Sequence, residues 1–145
     1  MMLGIMEYQS RSVKETQKIA EKFAREIDCT PMWIGLTGDL GAGKTTFVQG
    51  MARGLGIDPK HYVNSPTFTL VNEYGDRLVH VDLYRIEKPS EIETLALEEY
   101  VQPGRVIVIE WPEKAPSLKG QLDLTVRFEW VSEKERRIRI EKRAS

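Results

Sequence analysis

Met32-Trp33-Ile34-Gly35-Leu36-Thr37, followed at once by Gly38-Asp39-Leu40-Gly41-Ala42-Gly43-Lys44-Thr45, is the stretch on which the fold turns. The first part is an apolar run between Pro31 and a glycine cluster, the pattern of a buried strand of the parallel type. The second part matches Gly-x-x-x-x-Gly-Lys-[Ser/Thr] at every fixed position. Downstream, Phe47, Val48, Met51, Ala52 and Leu55 recur on one helical face and Gly56 is placed to end it, so the spacing predicts a helix over 44–55. Strand, glycine-rich turn and helix in that order let successive backbone N–H groups converge on a phosphate at the positive end of a helix dipole. Glycines serve there because side chains would block the approach and because some positions need positive φ. Residues 38–46 are therefore the expected phosphate-binding segment, including Thr46 beside the motif. Lys44 is expected to supply charge to the β- and γ-phosphates, and the Thr45 hydroxyl to ligate Mg²⁺.

Working outward, Ser12 with Glu15 forms a capping box before a helix at about 12–28, with Ala20, Phe23, Ala24 and Ile27 on one face. After a loop of prolines and polar residues at 58–66, segments 67–74 and 77–84 flank Gly75-Asp76 at the spacing of a β-hairpin. Ser90 and Glu93 make a second capping box, predicting a short acidic helix that ends near Tyr100. Pro103-Gly104 breaks the chain, and Val106-Ile107-Val108-Ile109 reads as a strand covered on both faces. Leu122, Leu124, Val126, Phe128 and Trp130 alternate with polar residues, as do Ile138 and Ile140 after a turn at 132–135, predicting an antiparallel hairpin with one buried face. These elements sum to an α/β, P-loop NTPase-like sandwich with a mixed sheet, parallel in its core and antiparallel at its margins. No repeat, low-complexity tract or linker divides the sequence, so residues 1–145 are expected to form a single domain.

Composition narrows the function. The chain has 145 residues, 41% apolar and 30% charged, which is enough for one ordinary core without disulfides. Cys29 is the only cysteine, so neither an internal disulfide nor a cysteine zinc site is expected, in keeping with a reducing, cytoplasmic setting. The start MMLGIMEYQS reaches Glu7 before any apolar run long enough for an export signal, and no stretch approaches a membrane span. The net charge of −1 is not the footprint of a protein that wraps nucleic acid. Charge is uneven, however: residues 73–100 carry eight acids against three bases, and residues 127–145 seven bases against four acids. Contact with RNA would fall to the basic end, although a charged edge strand that resists aggregation has the same composition.

A phosphate cradle also needs an acid to hold magnesium and a group to organise water. Two acids end apolar strands. Glu110 follows Val106–Ile109 directly, the position of a Walker B acid; the usual residue there is Asp, so the longer Glu can serve instead as a water-positioning base. Asp82 closes Leu78–Val81 and is a candidate to hold the metal through a bound water. An acid at a strand end also acts as a simple loop cap. His61 and His80 read as a loop and a strand histidine, without metal-ligand spacing to another His or Cys.

With GDLGAGKTT at 38–46, Ser65-Pro66-Thr67-Phe68, His80-Val81-Asp82-Leu83-Tyr84-Arg85 and Ile109-Glu110-Trp111 in that order and spacing, the chain resembles the TsaE (YjeE) family. The resemblance covers nearly the whole chain. It implies a bacterial, cytoplasmic ATPase that supports threonylcarbamoylation of adenosine 37 in tRNAs reading codons that begin with A. Its implied partners are TsaD, which performs the transfer, and TsaB, with tRNA met indirectly or through the complex. It also implies ATP and Mg²⁺ as cofactors, Lys44 and Thr45 on phosphate and magnesium, Asp82 and Glu110 on metal and water, and Trp111 in the nucleotide's neighbourhood. Thr67 is implied to sense the γ-phosphate. On sequence alone Thr67 equally starts a strand, Trp111 equally packs, and Arg85 pairs either with a local acid or with phosphate.

Asp82-Leu83-Tyr84-Arg85 is also compatible with a P-loop small-molecule or nucleoside kinase holding an acceptor hydroxyl. Such kinases normally add a mobile, arginine-rich lid, whereas the chain after Glu110 soon enters an alternating hairpin. A guanine-reading Asn-Lys-x-Asp run does not occur, which favours ATP over a GTP switch. Unassisted P-loop hydrolysis is slow, so either partner stimulation or nucleotide binding without turnover is compatible with the sequence.

Overall fold

The structure is a computed structural model and describes residues 5–27, 32–38, 43–58 and 71–142. Seven strands form one sheet in the order β1-β7-β6-β2-β5-β4-β3. These are β1 Ile5–Ser10, β2 Met32–Gly38, β3 Val71–Tyr74, β4 Leu78–Asp82, β5 Val106–Glu110, β6 Leu124–Ser132 and β7 Glu135–Lys142. Strands β6, β2, β5 and β4 run parallel, while β1, β7 and β3 pair antiparallel at the two sides. This is the mixed α/β sandwich expected from the sequence, parallel in its core and antiparallel at its margins.

Helices α1 (Val13–Glu26) and α2 (Lys44–Gly54) cover one face. At the start of α1, Ser12 Oγ accepts from Glu15 N–H at 3.0 Å, and the Glu15 carboxylate accepts from Arg11 N–H. The capping box is thus built one residue wider than its simplest form. Helix α2 ends in paired backbone bonds, Gly56 N–H to Arg53 C=O and Ile57 N–H to Ala52 C=O, with Gly56 at positive φ. Between helices and sheet, Phe47 meets Phe23 at 5.7 Å and Phe128 edge-on at 5.5 Å. The opposite face is covered more thinly, by α3 (Ser90–Thr94) and three 3₁₀ turns at Leu97–Tyr100, Pro112–Lys114 and Pro116–Gln121.

Three expectations are corrected. Ser90 does not cap α3; Pro89 precedes the helix, and the Glu91 carboxylate instead accepts from Glu87 N–H at 3.2 Å. Nor does that helix run to Tyr100: Ala96 at φ 48° interrupts it, and burying Ile92 and Leu97 in one patch takes a bend that a straight helix lacks. The C-terminal strand is not an edge. Strand β1, absent from the sequence expectation, pairs outside β7 along its whole length. Segment 67–70, the first half of the first strand expected in that hairpin, lies outside the described residues, as does Cys29.

The α1–α2 contact depends on two glycines. A Cβ on Gly50 would stand 2.3 Å from the Gln17 carbonyl oxygen, and one on Gly54 2.4 Å from that of Glu21. Those obstacles are backbone, so only glycine permits this approach. Gly50→Val is expected to cost about 2 kcal/mol or more through overpacking, read as a lowered urea midpoint at unchanged slope; a midpoint equal to the parent's would refute the close contact.

Candidate active site

The candidate site lies outside the carboxyl ends of β2, β4 and β5, where they meet the start of α2. Open α/β sheets place ligands in this position. Strand register brings the acids together: Asp82 stands opposite Glu110, and Glu110 opposite Leu36. Because side chains alternate along a strand, His80 and Asp82 share a face with Glu110. That face is the one α2 covers, since Leu36, Leu78 and Val108 on it pack with α2.

Gly38 closes β2 with φ 141°, and a Cβ there would lie 2.7 Å from the Phe128 carbonyl oxygen, so the motif's first position is sterically reserved for glycine. Gly43, at φ 108°, precedes α2, and no described atom lies within 4 Å of where its Cβ would stand. Asp39, Leu40, Gly41 and Ala42 lie outside the described residues, as do His61 and Thr67.

Lys44 is only 4% exposed, and its Nζ donates to the Gly38 carbonyl at 2.7 Å. The same ammonium sits 3.5 Å from the centroid of the Trp111 ring. Trp111 takes a left-handed backbone, φ 62° and ψ 48°, and meets Tyr84, which is half exposed, with the ring centroids 5.1 Å apart and the planes tilted by 49°. Lys114 Nζ lies over the other ring of that pair, 5.3 Å from the Tyr84 centroid, and donates to the Tyr84 carbonyl. Trp111 therefore does pack, and it packs on the motif's lysine, Lys44. Arg85 is exposed.

The buried Glu110 carboxylate is anchored through one oxygen: Oε2 accepts from Thr45 Oγ1 at 3.3 Å and lies 2.5 Å from His80 Nε2. Asp82 Oδ1 accepts from Tyr84 N–H at 2.9 Å, so the loop-cap role is real. Thr45 is thus brought to Glu110, Asp82 stands opposite Glu110 in the strand register, and His80 joins them unanticipated. Its signal was its place two residues before Asp82 on a strand, which puts both on one face.

The donor set fits magnesium bound mainly through a nucleotide. Among the described residues no group of three or more His, Cys, Asp or Glu side chains forms a cage. One hydroxyl and two carboxylates suit a hard ion that keeps several waters and takes further oxygens from phosphate. Beside Gly43 and Thr46, a cavity of about 180 Å³ opens between the start of α1 and the β6–β7 turn, lined also by Ser10, Arg11, Lys134 and Arg136.

Comparison with known proteins matches residues 10–138 to the family model described as threonylcarbamoyl adenosine biosynthesis protein TsaE. Curated relatives bear the name tRNA threonylcarbamoyladenosine biosynthesis protein TsaE. The chain is 39% identical to that of Bacillus subtilis over 139 residues, covering 92% of this chain and 83% of the relative. It is 36% identical to that of Aquifex aeolicus over 132 residues, covering 89% and 90%. A crystal structure of YdiB from Bacillus subtilis superposes with a TM-score of 0.71 at 31% identity, over 98% of this chain and 88% of that one.

The two roles open to Asp82 separate by substitution. An amide oxygen can still accept from Tyr84 N–H, so Asp82→Asn is expected to unfold within about 0.5 kcal/mol of the parent, whereas Asp82→Ala loses about 1 kcal/mol. Urea unfolding measures both, and equal losses would deny the capping bond any weight.

Proposed function

This chain belongs to the TsaE family, and from that premise we propose that it is the Mg²⁺-dependent ATPase subunit of the cytoplasmic machinery that makes threonylcarbamoyladenosine in tRNA, working with TsaD and TsaB. In this reading residues 1–145 act as one ATPase unit and meet tRNA through the complex. The observation that carries it is the contact of Glu110 Oε2 with Thr45 Oγ1, 3.3 Å apart at the N-terminus of α2. A Walker-type threonine in contact with a strand-end carboxylate is the arrangement that shares a magnesium ion and a water between them. Magnesium, when bound, supplies neutralisation of phosphate charge.

Each residue then has a task. Lys44 exchanges the Gly38 carbonyl for the β- and γ-phosphate oxygens, and the backbone around Gly43 to Thr46 receives the phosphates. Thr45 and Asp82 would hold magnesium, the threonine through its hydroxyl oxygen and the aspartate through a bound water. Glu110 orients or deprotonates the attacking water. Trp111 borders the nucleotide, the cavity beside Thr46 takes its nucleoside end, and Thr67 answers to the γ-phosphate. Pro112–Gln121, the stretch after Glu110, forms 3₁₀ turns that bury Ala115 and Leu118 against the sheet, so its role is to cover the core. No specific observation favours the kinase alternative.

The test is ATP turnover by the purified protein, alone and with TsaD and TsaB added. Lys44→Ala is expected to weaken ATP binding about 10–100-fold, the loss of a charge-assisted contact to phosphate. Calorimetric titration reads this, and unchanged affinity removes the P-loop assignment. Glu110→Gln is expected to bind ATP within about threefold of the parent yet turn over about 100-fold more slowly with partners present. Hydrolysis at the parental rate would take Glu110 out of the chemistry.

A further inference from the structure

We propose that His80 is the positioning residue that aims the Glu110 carboxylate at the reacting water, an inference that rests on the catalytic reading of Glu110 above. His80 is fully buried in the middle of β4, a strand with every residue buried. An apolar side chain would fill that place without placing a polar ring in the core. The ring makes a short contact from Nε2 to Glu110 Oε2, at 2.5 Å, while Nδ1 has no hydrogen-bond partner among the described residues. Its polar investment is therefore directed at the catalytic carboxylate. The tautomer with its proton on Nε2 satisfies this geometry, since it donates to Oε2 and leaves at Nδ1 an unused acceptor rather than a buried orphan N–H.

Thr45 cannot provide the lasting anchor. Its hydroxyl also touches Oε2, at 3.3 Å, but that hydroxyl oxygen is the one that would hold magnesium. With Thr45 on the metal, His80 would remain as the contact that keeps Oε2 in place. Strand pairing makes this anchor stiff: His80 stands opposite Val108, and Asp82 opposite Glu110, along one parallel ladder. Neither backbone can shift to slacken the contact without breaking that ladder. Partners that orient a ligating or catalytic side chain typically contribute 10–100-fold to activity.

Two substitutions separate reach from polarity. In glutamine the side-chain nitrogen falls near the position of Nε2, whereas in asparagine it falls near Nδ1 and stops short of Glu110. His80→Asn is expected to lower kcat about 10–100-fold with ATP affinity within about threefold of the parent, and His80→Gln to recover most of kcat. In a Glu110→Gln background, His80→Asn should cost less than about threefold more, because the group it positions is already gone. A merely structural histidine would instead give additive losses. The nucleotide-free parent offers a readout independent of turnover. With only two histidines in the chain, His61→Ala assigns the imidazole nitrogen resonances. A protonated, exchange-protected Nε2 that shifts on Glu110→Gln is expected. Full kcat in a folded His80→Asn, additive losses in the double variant, or an Nε2 without a proton each overturns the inference. If His80→Asn fails to fold, His80→Gln and the resonance test decide. Should Glu110→Gln hydrolyse ATP normally, the fault lies with the catalytic reading; a slow Glu110→Gln beside a normal His80→Asn faults the positioning role alone.

Discussion

The parallel register that sets Leu36 opposite Glu110, and Glu110 opposite Asp82, is the constraint from which the site follows. Alternation has a period of two, so a slip of one residue in β4 or β5 would turn its acid to the opposite face and bring an aliphatic neighbour, Val81 or Ile109, toward α2. The register is secured on both faces at once. Val106 and Val108 pack in the helical layer while Ile107 and Ile109 pack in the thinner one, so no shifted alignment leaves both sets covered. Backbone bonds continue the alignment past the strand ends, from Leu83 N–H to Glu110 C=O at 3.1 Å and from Trp111 N–H to Leu36 C=O at 3.3 Å. The geometry of the candidate site is in this sense a by-product of core packing.

That geometry is costly to hold. Lys44, His80, Asp82 and Glu110 are all buried, and burying charged groups is unfavourable unless each finds a partner. Trp111 adds a left-handed backbone that costs a non-glycine residue about 1–2 kcal/mol. It is held there by its neighbours: Pro112, buried, follows it, and Tyr84 lies tilted against its ring. The strain places the ring under the Lys44 ammonium, so that the cation faces a carbonyl and an aromatic surface.

Legibility in the sequence followed the range of the interactions. The buried strands at 32–38 and 106–110, both main helices and the phosphate loop's position are written in contiguous periodicity and in one local motif. Caps were legible only where short-range bonding decides them. Ser12 caps α1 as expected, whereas at Ser90 the need to bury Ile92 and Leu97 together overrode the same sequence signal. The pairing of His80 with Glu110 spans thirty residues and two strands, and only the strand order makes them neighbours. Likewise the Gly50 and Gly54 notch reads as helix-weakening glycine until α1 is seen lying in it.

Charge illustrates the same limit most sharply. Counted along the chain, the C-terminal end is basic, which suggests either a contact with RNA or a protected edge. In the sheet, its arginines face acids. Arg137 lies 3.2 Å from Glu7 and 3.0 Å from Glu129, Arg139 lies 3.5 Å from Glu7, and Arg127 lies 3.2 Å from Glu141. Glu7 comes from the opposite end of the chain, so no window of sequence includes it. Exposed pairs of this kind contribute only about 0–1 kcal/mol each, too little to explain why β1 joins the sheet. Their weight falls on which alignment is chosen. Glu7 pairs directly across from Arg139, and moving β1 by one residue would set it against Ile138 or Ile140, whose side chains belong to the core. Burial of Met6 and Tyr8 brings the strand to the sheet, and the ladder of charge then fixes its register.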